Sequence, residues 1–521
     1  MNKEIEEQGR RITVILDPHI KVSQDYFVSK EGMELQYANA TEEKGVSNIF
    51  IRANSSTIDP FFGDCWPGNS TWIDVLNENA QEFWAGLYSF DKFKGSNWMY
   101  SAWNDMDEPA VFSTDTKTMP QDAIHVKADG RKFEHRDVHN AYGGLMQKAS
   151  YNGMKKRDDY NRRPFVLTRS FFLGSQKFGT YWTGDNRSIY SEIGGSMTMI
   201  LQLGNAGHPF GGSDVPGFYG MPTEDMWVMF YQMGMYYPFF RAHTHLDFPN
   251  REPWMQTQRV QEAIRDSINR RYDLIHYIYT TFERSTRTAE PLMRTMWNEF
   301  PDQQIMWDAS SQFMFGDSIL VAPKITKPDD LHTQFKLQQV NYILPNNELW
   351  YNFYTKTQAT ETGVEVSVDL PDLEQAVFVR GGSVLPILLH EDCMALLPCI
   401  KNPIRLEVYL DENDSASGAL YLDDGETYEF MNSTDGHADI TFSYEGNSLT
   451  STNNAGNNYV TGEDQVVTQV VIYGFKKSPA DVLCGSIEVD YTYIESEGAL
   501  LIDTSAFRVD IDNVSIEVVW N

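Results

Sequence analysis

Cysteine is scarce: four residues in 521, Cys65, Cys393, Cys399 and Cys484. No two form a CxxC pair, which excludes the zinc-ribbon and thioredoxin-type readings. Cys393 and Cys399 are near enough in sequence to pair, and the sequence does not decide whether they do. No run of roughly 18 apolar residues occurs, so no membrane-spanning helix is expected. Basic residues are also in deficit. There are 42 Lys and Arg against 73 Asp and Glu, for a net charge of −31. That balance argues against nucleic acid and against anionic membranes as partners. The opening residues, MNKEIEEQGRR, are charged and helix-like, without the apolar stretch of a signal peptide. There is no P-loop, no GxGxxG after a strand-like run and no Ser-His-Asp arrangement, so no cofactor is expected.

What is present is a large apolar and aromatic content, 41% and 13% of residues. It describes a globular chain with sizeable cores, and the length suggests about three domains. Over the first 250 residues six apolar runs each end in a polar cluster: 11–16 before DPHI, 98–103 before NDMDEP, 164–168 before RSFF, 178–182 before TGDN, 207–212 before SDVPGF, and 236–240 before RAHTHLD. Helix-like segments at 191–204 and 223–236 lie between some of them. Alternation of this kind predicts parallel strands with crossover helices, and barrel enzymes place their chemistry at the C-terminal ends of such strands. The gap between 168 and 178 is too short for a full helix. Residues 257–284 carry Val260, Ile264, Ile268, Ile275 and Ile278 at helical spacing, which predicts one long helix. After about residue 290 short β-rich runs broken by Gly, Asn, Asp and Pro predict two small β-sandwich domains.

Asp105 follows Trp103 in SAWNDMDEPAVF, and Asp185 follows Trp182 in YWTGDN. A lone Asp after a strand is usually a turn or cap residue. An indole beside a carboxylate, met twice, instead suits a sugar subsite, with the ring against the sugar face and the acid at the anomeric carbon. Two facing carboxylates are the minimal equipment for glycoside cleavage. Arg169 in LTRSFF reads as an ion-pair partner or as a donor to substrate hydroxyls. Asp214 follows a Gly-rich approach that permits close backbone packing. His243 and His245 in RAHTH, and His135 and His139 in EHRDVH, lack the Glu of an HExxH motif, so no metal is expected. Sequons stand at Asn39, Asn54, Asn69, Asn186, Asn413, Asn432 and Asn513. They permit a secretory location, and Asn186 lies too near Asp185 to carry a glycan.

These residues together resemble glycoside hydrolase family 31. WNDMDEP resembles the family's W-x-D-M-N-E signature, and RSFFLGSQKFGTYWTGDN resembles its acid/base signature. GGSDVPGF, QMGMYYPFFRAHTHLD and VRGGSVLP extend the likeness along the chain. DPHIKV, CWPGNS, FEHRDVHNAYG and REPW are most similar to the glucosidase II branch of the endoplasmic reticulum. The resemblance implies an incomplete (β/α)8 TIM-type barrel over 1–290, holding about strands 3 to 8. Two all-β sandwich domains then follow over 291–390 and 391–521. It implies a retaining α-glucosidase with Asp105 as nucleophile and Asp185 as general acid/base, their carboxyl groups roughly 5–5.5 Å apart. Arg169, Asp214 and His243 are then expected to hold the hydroxyls of the bound glucose, and Trp66, Trp103, Met106, Trp182 and Phe218 to line its subsite. An oligosaccharide or N-glycan substrate, a glucosidase II β-subunit as partner and the endoplasmic-reticulum lumen as location follow from the same likeness. Asp107 departs from the family's Asn. The missing first strands imply that the chain alone is unstable or inactive. The alternatives are another family 31 specificity, such as α-xylosidase, and an inactive homologue that only binds carbohydrate or assembles.

Overall fold

The computed structural model describes residues 2–38, 48–328, 337–391, 393–456, 459 and 465–520. The sequon at Asn39 lies outside them. The chain divides into two units, Met1–Trp182 with Glu426–Tyr428 and Thr183–Gly425 with Glu429–Asn521.

The first unit is built on four strands in consecutive order: β1 (Ile12–Ile15), β2 (Tyr100–Asn104), β3 (Val166–Thr168) and β4 (Thr180–Trp182). Every neighbouring pair is parallel. Parallel strands need crossovers on their faces, and these supply α1 (Glu78–Gly86) and α2 (Tyr142–Lys156). Asn77 caps α1 by accepting from the Asn79 N–H at 2.8 Å. The two helices approach closely at Gly153, where a Cβ would fall 2.8 Å from the Ala85 carbonyl oxygen. Trp84 and Tyr88 both donate to Ser150 Oγ at 2.9 Å, so the buried polar ends of this aromatic pair are satisfied. The short gap before β4 holds a single 3-10 turn, Ser175–Lys177, as its length predicts.

Register sets the function of this sheet. Ile15 pairs with Trp103, Trp103 with Leu167, and Thr168 with Tyr181. The ladder runs on past the strands: Leu16 N donates to Trp103 O, and Arg169 N donates to Asn104 O. Asp17, Asp105 and Arg169 therefore leave the sheet on one rim.

In the second unit β5 (Asp214–Val215) pairs in parallel with β6 (Arg241–Ala242). Helices α3 (Tyr190–Asn205) and α4 (Glu224–Gly234) stand where the helical patterning puts them. Two expectations are corrected. The run 236–240 is not a strand: Pro238 has no N–H, and the Arg271 guanidinium takes the carbonyls of Met235, Tyr237 and Pro238 at 2.6–3.0 Å. The strand begins later, at Arg241. The long helix expected over 257–284 is two, α5 (Gln258–Asp273) and α6 (Ile275–Thr288), broken at Leu274. Leu274 itself is buried, so the apolar period passes through the break unchanged.

Beyond residue 290 the second unit is β-rich. One sheet orders Met293–Thr295, Phe313–Phe315, Ile319–Ala322, Ala376–Arg380 and Trp350–Asn352. A larger sheet has Ser383–Leu388 between Ile404–Tyr409 and Ala416–Leu422. Leu406, Leu420, Phe442, Ile472, Leu500 and Ile516 from its strands meet in one core, so the sheet folds over itself as a sandwich. Cys393 and Cys399 form a disulfide.

Candidate active site

Asp105 opens a turn that few side chains tolerate. Met106 sits at φ 57°, in the left-handed region, and Glu108–Pro109 is a cis peptide. A non-glycine residue in that region costs roughly 1–2 kcal/mol, and such outliers gather at functional sites. The turn delivers Asp105 to Arg169 on the neighbouring strand end, with Nη1 2.8 Å from Oδ1. The Met106 N–H also donates to Asp105 Oδ1, at 2.8 Å. Arg169 spends its other donors on Glu108, Nε at 2.6 Å and Nη2 at 3.1 Å, and Nη2 also lies 3.0 Å from the Met106 sulfur. A guanidinium so placed favours the charged form of a carboxylate and fixes its direction. Trp103 and Trp182 stand edge to face, centroids 5.3 Å apart, beside this cluster on strands β2 and β4.

Asp107 is fully buried. Its Oδ1 accepts the Ser170 N–H at 3.0 Å, and its Oδ2 lies 2.6 Å from Thr168 Oγ1. Burial pushes its acid well above the usual carboxylate range, against the pull of Thr168 and with further push from Glu108. The residue that departs from the family pattern thus ties the Asp105 turn to the strand end bearing Arg169.

Asp17 is the acid that sequence reasoning passed over. Burial raises its pKa to about 7, and the charge of Asp105 adds to the rise while Arg169 opposes it. His19 lies 3.4 Å away, but burial lowers its pKa to about 4, so the contact is no ion pair at neutral pH. Asp17 Oδ1 and His19 Nδ1 are buried without a hydrogen-bond partner among the described residues. Both residues line a cavity of about 720 Å³ with Trp66, Tyr26 and Phe27. Trp66 is 67% exposed and packs edge-on against Phe112, a flat apolar wall open to a ligand.

In the second unit Asn186 is the keystone. Its Nδ2 donates to Ser213 Oγ and to Asp214 O at 3.0 Å each, and its Oδ1 accepts from Phe218 N at 3.1 Å. That amide is occupied and buried, which leaves no room for a glycan. Asn186 anchors the turn on which Asp185 is exposed. Asp214 is fully buried and pairs with Arg241 Nη2 at 2.5 Å. The Gly-rich approach has its reason at Gly212, where a Cβ would lie 1.8 Å from Phe239 O. Phe218 stacks on His243, centroids 5.1 Å apart. Burial first, then Arg241, lowers the His243 pKa to about 4, so its imidazole is neutral. His135 and His139 do not converge on a metal position: their ring nitrogens bond each other at 2.7 Å.

The description "Glycosyl hydrolases family 31 TIM-barrel domain" matches residues 1–281. The chain belongs to family 31. Its family 31 C-terminal domain covers residues 289–385. A probable glucan 1,3-alpha-glucosidase from Arabidopsis thaliana is 35% identical over 93% of this chain and 49% of its own length. The solved structure of a glucosidase II alpha subunit with alpha3-Glc2 bound is 30% identical, with a TM-score of 0.87, over 100% of this chain and 55% of that one. A solved heterodimeric complex of the endoplasmic-reticulum glucosidase II catalytic subunit with the binding domain of its regulatory subunit is 31% identical, with a TM-score of 0.87, over the same shares. The chain spans about half the length of these relatives.

The first unit brings together Asp105, Met106 and Arg169, with Trp103 and Trp182 paired, and places Trp66 on the cavity with Asp17. The second gathers Asp185, Asp214, Phe218 and His243 through Asn186 and Arg241. Asp17 and Arg241 were not singled out from the sequence, and Asn186 was singled out only as a sequon too near Asp185 to carry a glycan. Each follows an apolar run, and that position was the available signal.

Proposed function

We propose that this chain carries the catalytic machinery of a retaining α-glucosidase. The observation that carries the reading is the Asp105 carboxylate held by Arg169 at 2.8 Å on the C-terminal rim of a parallel sheet. Asp105 attacks the anomeric carbon while Asp185 gives a proton to the departing oxygen, forming a glycosyl ester. Water then attacks that carbon, Asp185 takes the proton, and the ester bond to Asp105 breaks with the α configuration retained. Arg169, Asp214, His243 and Asp17 hold sugar hydroxyls. Trp66, Trp103, Met106, Trp182 and Phe218 form the apolar wall. We further assign terminal α-1,3-linked glucose on an N-glycan as substrate, a regulatory β-subunit as partner and the endoplasmic-reticulum lumen as location. These follow the relatives named glucan 1,3-alpha-glucosidase and glucosidase II. We divide the chain at 1–290, 291–390 and 391–521.

The test is covalent labelling. A fluorinated α-glucosyl fluoride is expected to trap the ester, and peptide mass spectrometry to find the label on Asp105. A label on another carboxylate would overturn the assignment of the nucleophile.

A further inference from the structure

Around Thr168 one hydroxyl hydrogen has to serve two acceptors unless Asp107 carries a proton. Thr168 Oγ1 lies 2.6 Å from Asp107 Oδ2 and 2.9 Å from the Ser170 carbonyl oxygen. A hydroxyl has one hydrogen, and a carbonyl oxygen only accepts. With Asp107 ionised, the single hydroxyl hydrogen would have to be shared between those two short contacts. With Asp107 neutral, everything is satisfied. Asp107 Oδ2–H donates to Thr168 Oγ1, Thr168 O–H donates to Ser170 O, and Ser170 N–H donates back to Asp107 Oδ1 at 3.0 Å. The result is a closed ring of three hydrogen bonds.

The surroundings agree. The charged and titratable groups facing Asp107 are Glu108 on its own turn, Arg169 at the end of β3 and Tyr142 on α2. Arg169 directs donors to Asp105 and Glu108, and no cation among the described residues bonds Asp107. Tyr142 donates its hydroxyl to Ile73 O. Helix α2 also closes the ring from outside: at Gly143 a Cβ would come within 2.5 Å of Ser170 O, so Ser170 is pressed into place.

We propose that Asp107 is a positioning residue acting as a neutral carboxylic acid. Its proton clamps the strand end that bears Arg169 onto the turn that bears Asp105. The aspartate does here what an amide would do, donating from one atom and accepting on the other, with the difference that its clamp can be titrated. This rests on the α-glucosidase reading only for what Arg169 then does to Asp105. The ring itself is testable without turnover.

Infrared difference spectra of protein with isotope-labelled aspartate are compared between the wild type and Asp107→Asn at neutral pH. A protonated-acid carbonyl band present in the wild type and lost in the variant is the expected result. A difference confined to carboxylate bands overturns the proposal. Thr168→Val serves as the second variant: it removes the acceptor, so the acid band shifts to higher frequency, and an unmoved band is an overturning result. Thermal melts provide an independent reading. An acid whose folded pKa is raised contributes stability that is complete below the unfolded carboxylate range and is lost as pH rises through the folded pKa. The Tm of Asp107→Asn therefore gains on that of the wild type as pH rises above about 4. A constant difference across pH overturns the neutral acid. In kcat, Asp107→Asn is expected to retain more than Asp107→Leu, because only the amide rebuilds the ring; equal losses count against the clamp.

Discussion

Arg169 Nη1 lies 2.8 Å from Asp105 Oδ1, and the same guanidinium turns its Nε and Nη2 to Glu108. One planar fork thus fixes two carboxylates that stand three positions apart on the same turn. Neither acid is deeply buried, and Arg169 keeps 18% side-chain exposure. The arrangement therefore gives direction more than stability, since partly exposed pairs contribute little to folding. For a nucleophile direction is what matters.

Lysine at this position would keep the charge and lose the fork. Its ammonium can face Asp105 or Glu108, and it lacks the geometry to hold both. Arg169→Lys is therefore expected to slow labelling by a glucosyl fluoride on the order of a hundredfold, the scale of a misplacement by about an ångström. The melting temperature should hardly move. A labelling rate within a few-fold of wild type would show that charge alone suffices.

Asp17 makes stability depend on pH. Its pKa is raised to about 7, so its contribution is complete below the unfolded carboxylate range and is lost as pH rises from about 4 to about 7. The slope is at most about 1.4 kcal/mol per pH unit for one proton. Asp17→Asn removes this term. Urea unfolding at the two ends of that window should show the variant gaining on the wild type as pH rises. A gap that stays constant would refute the raised pKa.

The sequence made strand ends legible and their company illegible. Apolar runs closing in polar clusters located β1 to β4 and placed Asp105 and Arg169 on rims. They could not place Thr168 and Ser170 around Asp107, because those partners lie 61 and 63 residues away and meet it only through the β2–β3 register. Asp17 was hidden for the same reason: nothing in DPHI announces that Asp105 shares its rim. Periodicity misled where a local feature left it intact. The apolar stripe continues through Ile275 and Ile278 although the helix breaks at Leu274. The aromatic run 236–240 has strand composition, yet the carbonyls of Tyr237 and Pro238 belong to Arg271.

Glu407 should dominate acid sensitivity in the second unit. It is almost fully buried, with Lys356 at 3.0 Å, Arg405 at 2.8 Å and the Tyr409 hydroxyl at 2.6 Å. Burial alone would raise its pKa, but Lys356 and Arg405 outweigh it and bring the value down to about 2. A depressed acid contributes stability above its unfolded pKa and loses it as pH falls through the folded one. The loss should run from about pH 4.5 to about 2. Glu407→Gln leaves two cations facing a neutral group and is expected to cost about 3 kcal/mol or more at neutral pH. Chemical denaturation checks both statements, and a cost below about 1 kcal/mol would mean that the cations find other partners.

A line of three histidines runs from Asp74, and its proton polarity is set at one end. Asp74 Oδ1 lies 2.7 Å from His125 Nδ1, His125 Nε2 lies 2.9 Å from His135 Nδ1, and His135 Nε2 lies 2.7 Å from His139 Nδ1. His135 is neutral, its pKa lowered to about 3 by burial and by the two flanking rings. A carboxylate can only accept, so His125 presents Nδ1–H to it, and where His125 Nε2 accepts, His135 and His139 carry their protons on Nδ1 in turn. Asp74→Asn reverses the instruction. Asp74 Oδ2 also accepts the Val126 N–H at 2.8 Å, so the amide oxygen stays there and the NH2 faces His125. His125 must then accept on Nδ1 and donate from Nε2, and each ring after it turns over. Nitrogen NMR of the histidine rings should show Nδ1–H in the wild type and Nε2–H at His125 and His135 in the variant. The Leu76 N–H, now 3.3 Å from a donor, loses its acceptor, so a stability loss of about 1–3 kcal/mol should accompany the change. If His125 keeps its proton on Nδ1 in the variant, Asp74 is not what orients the array.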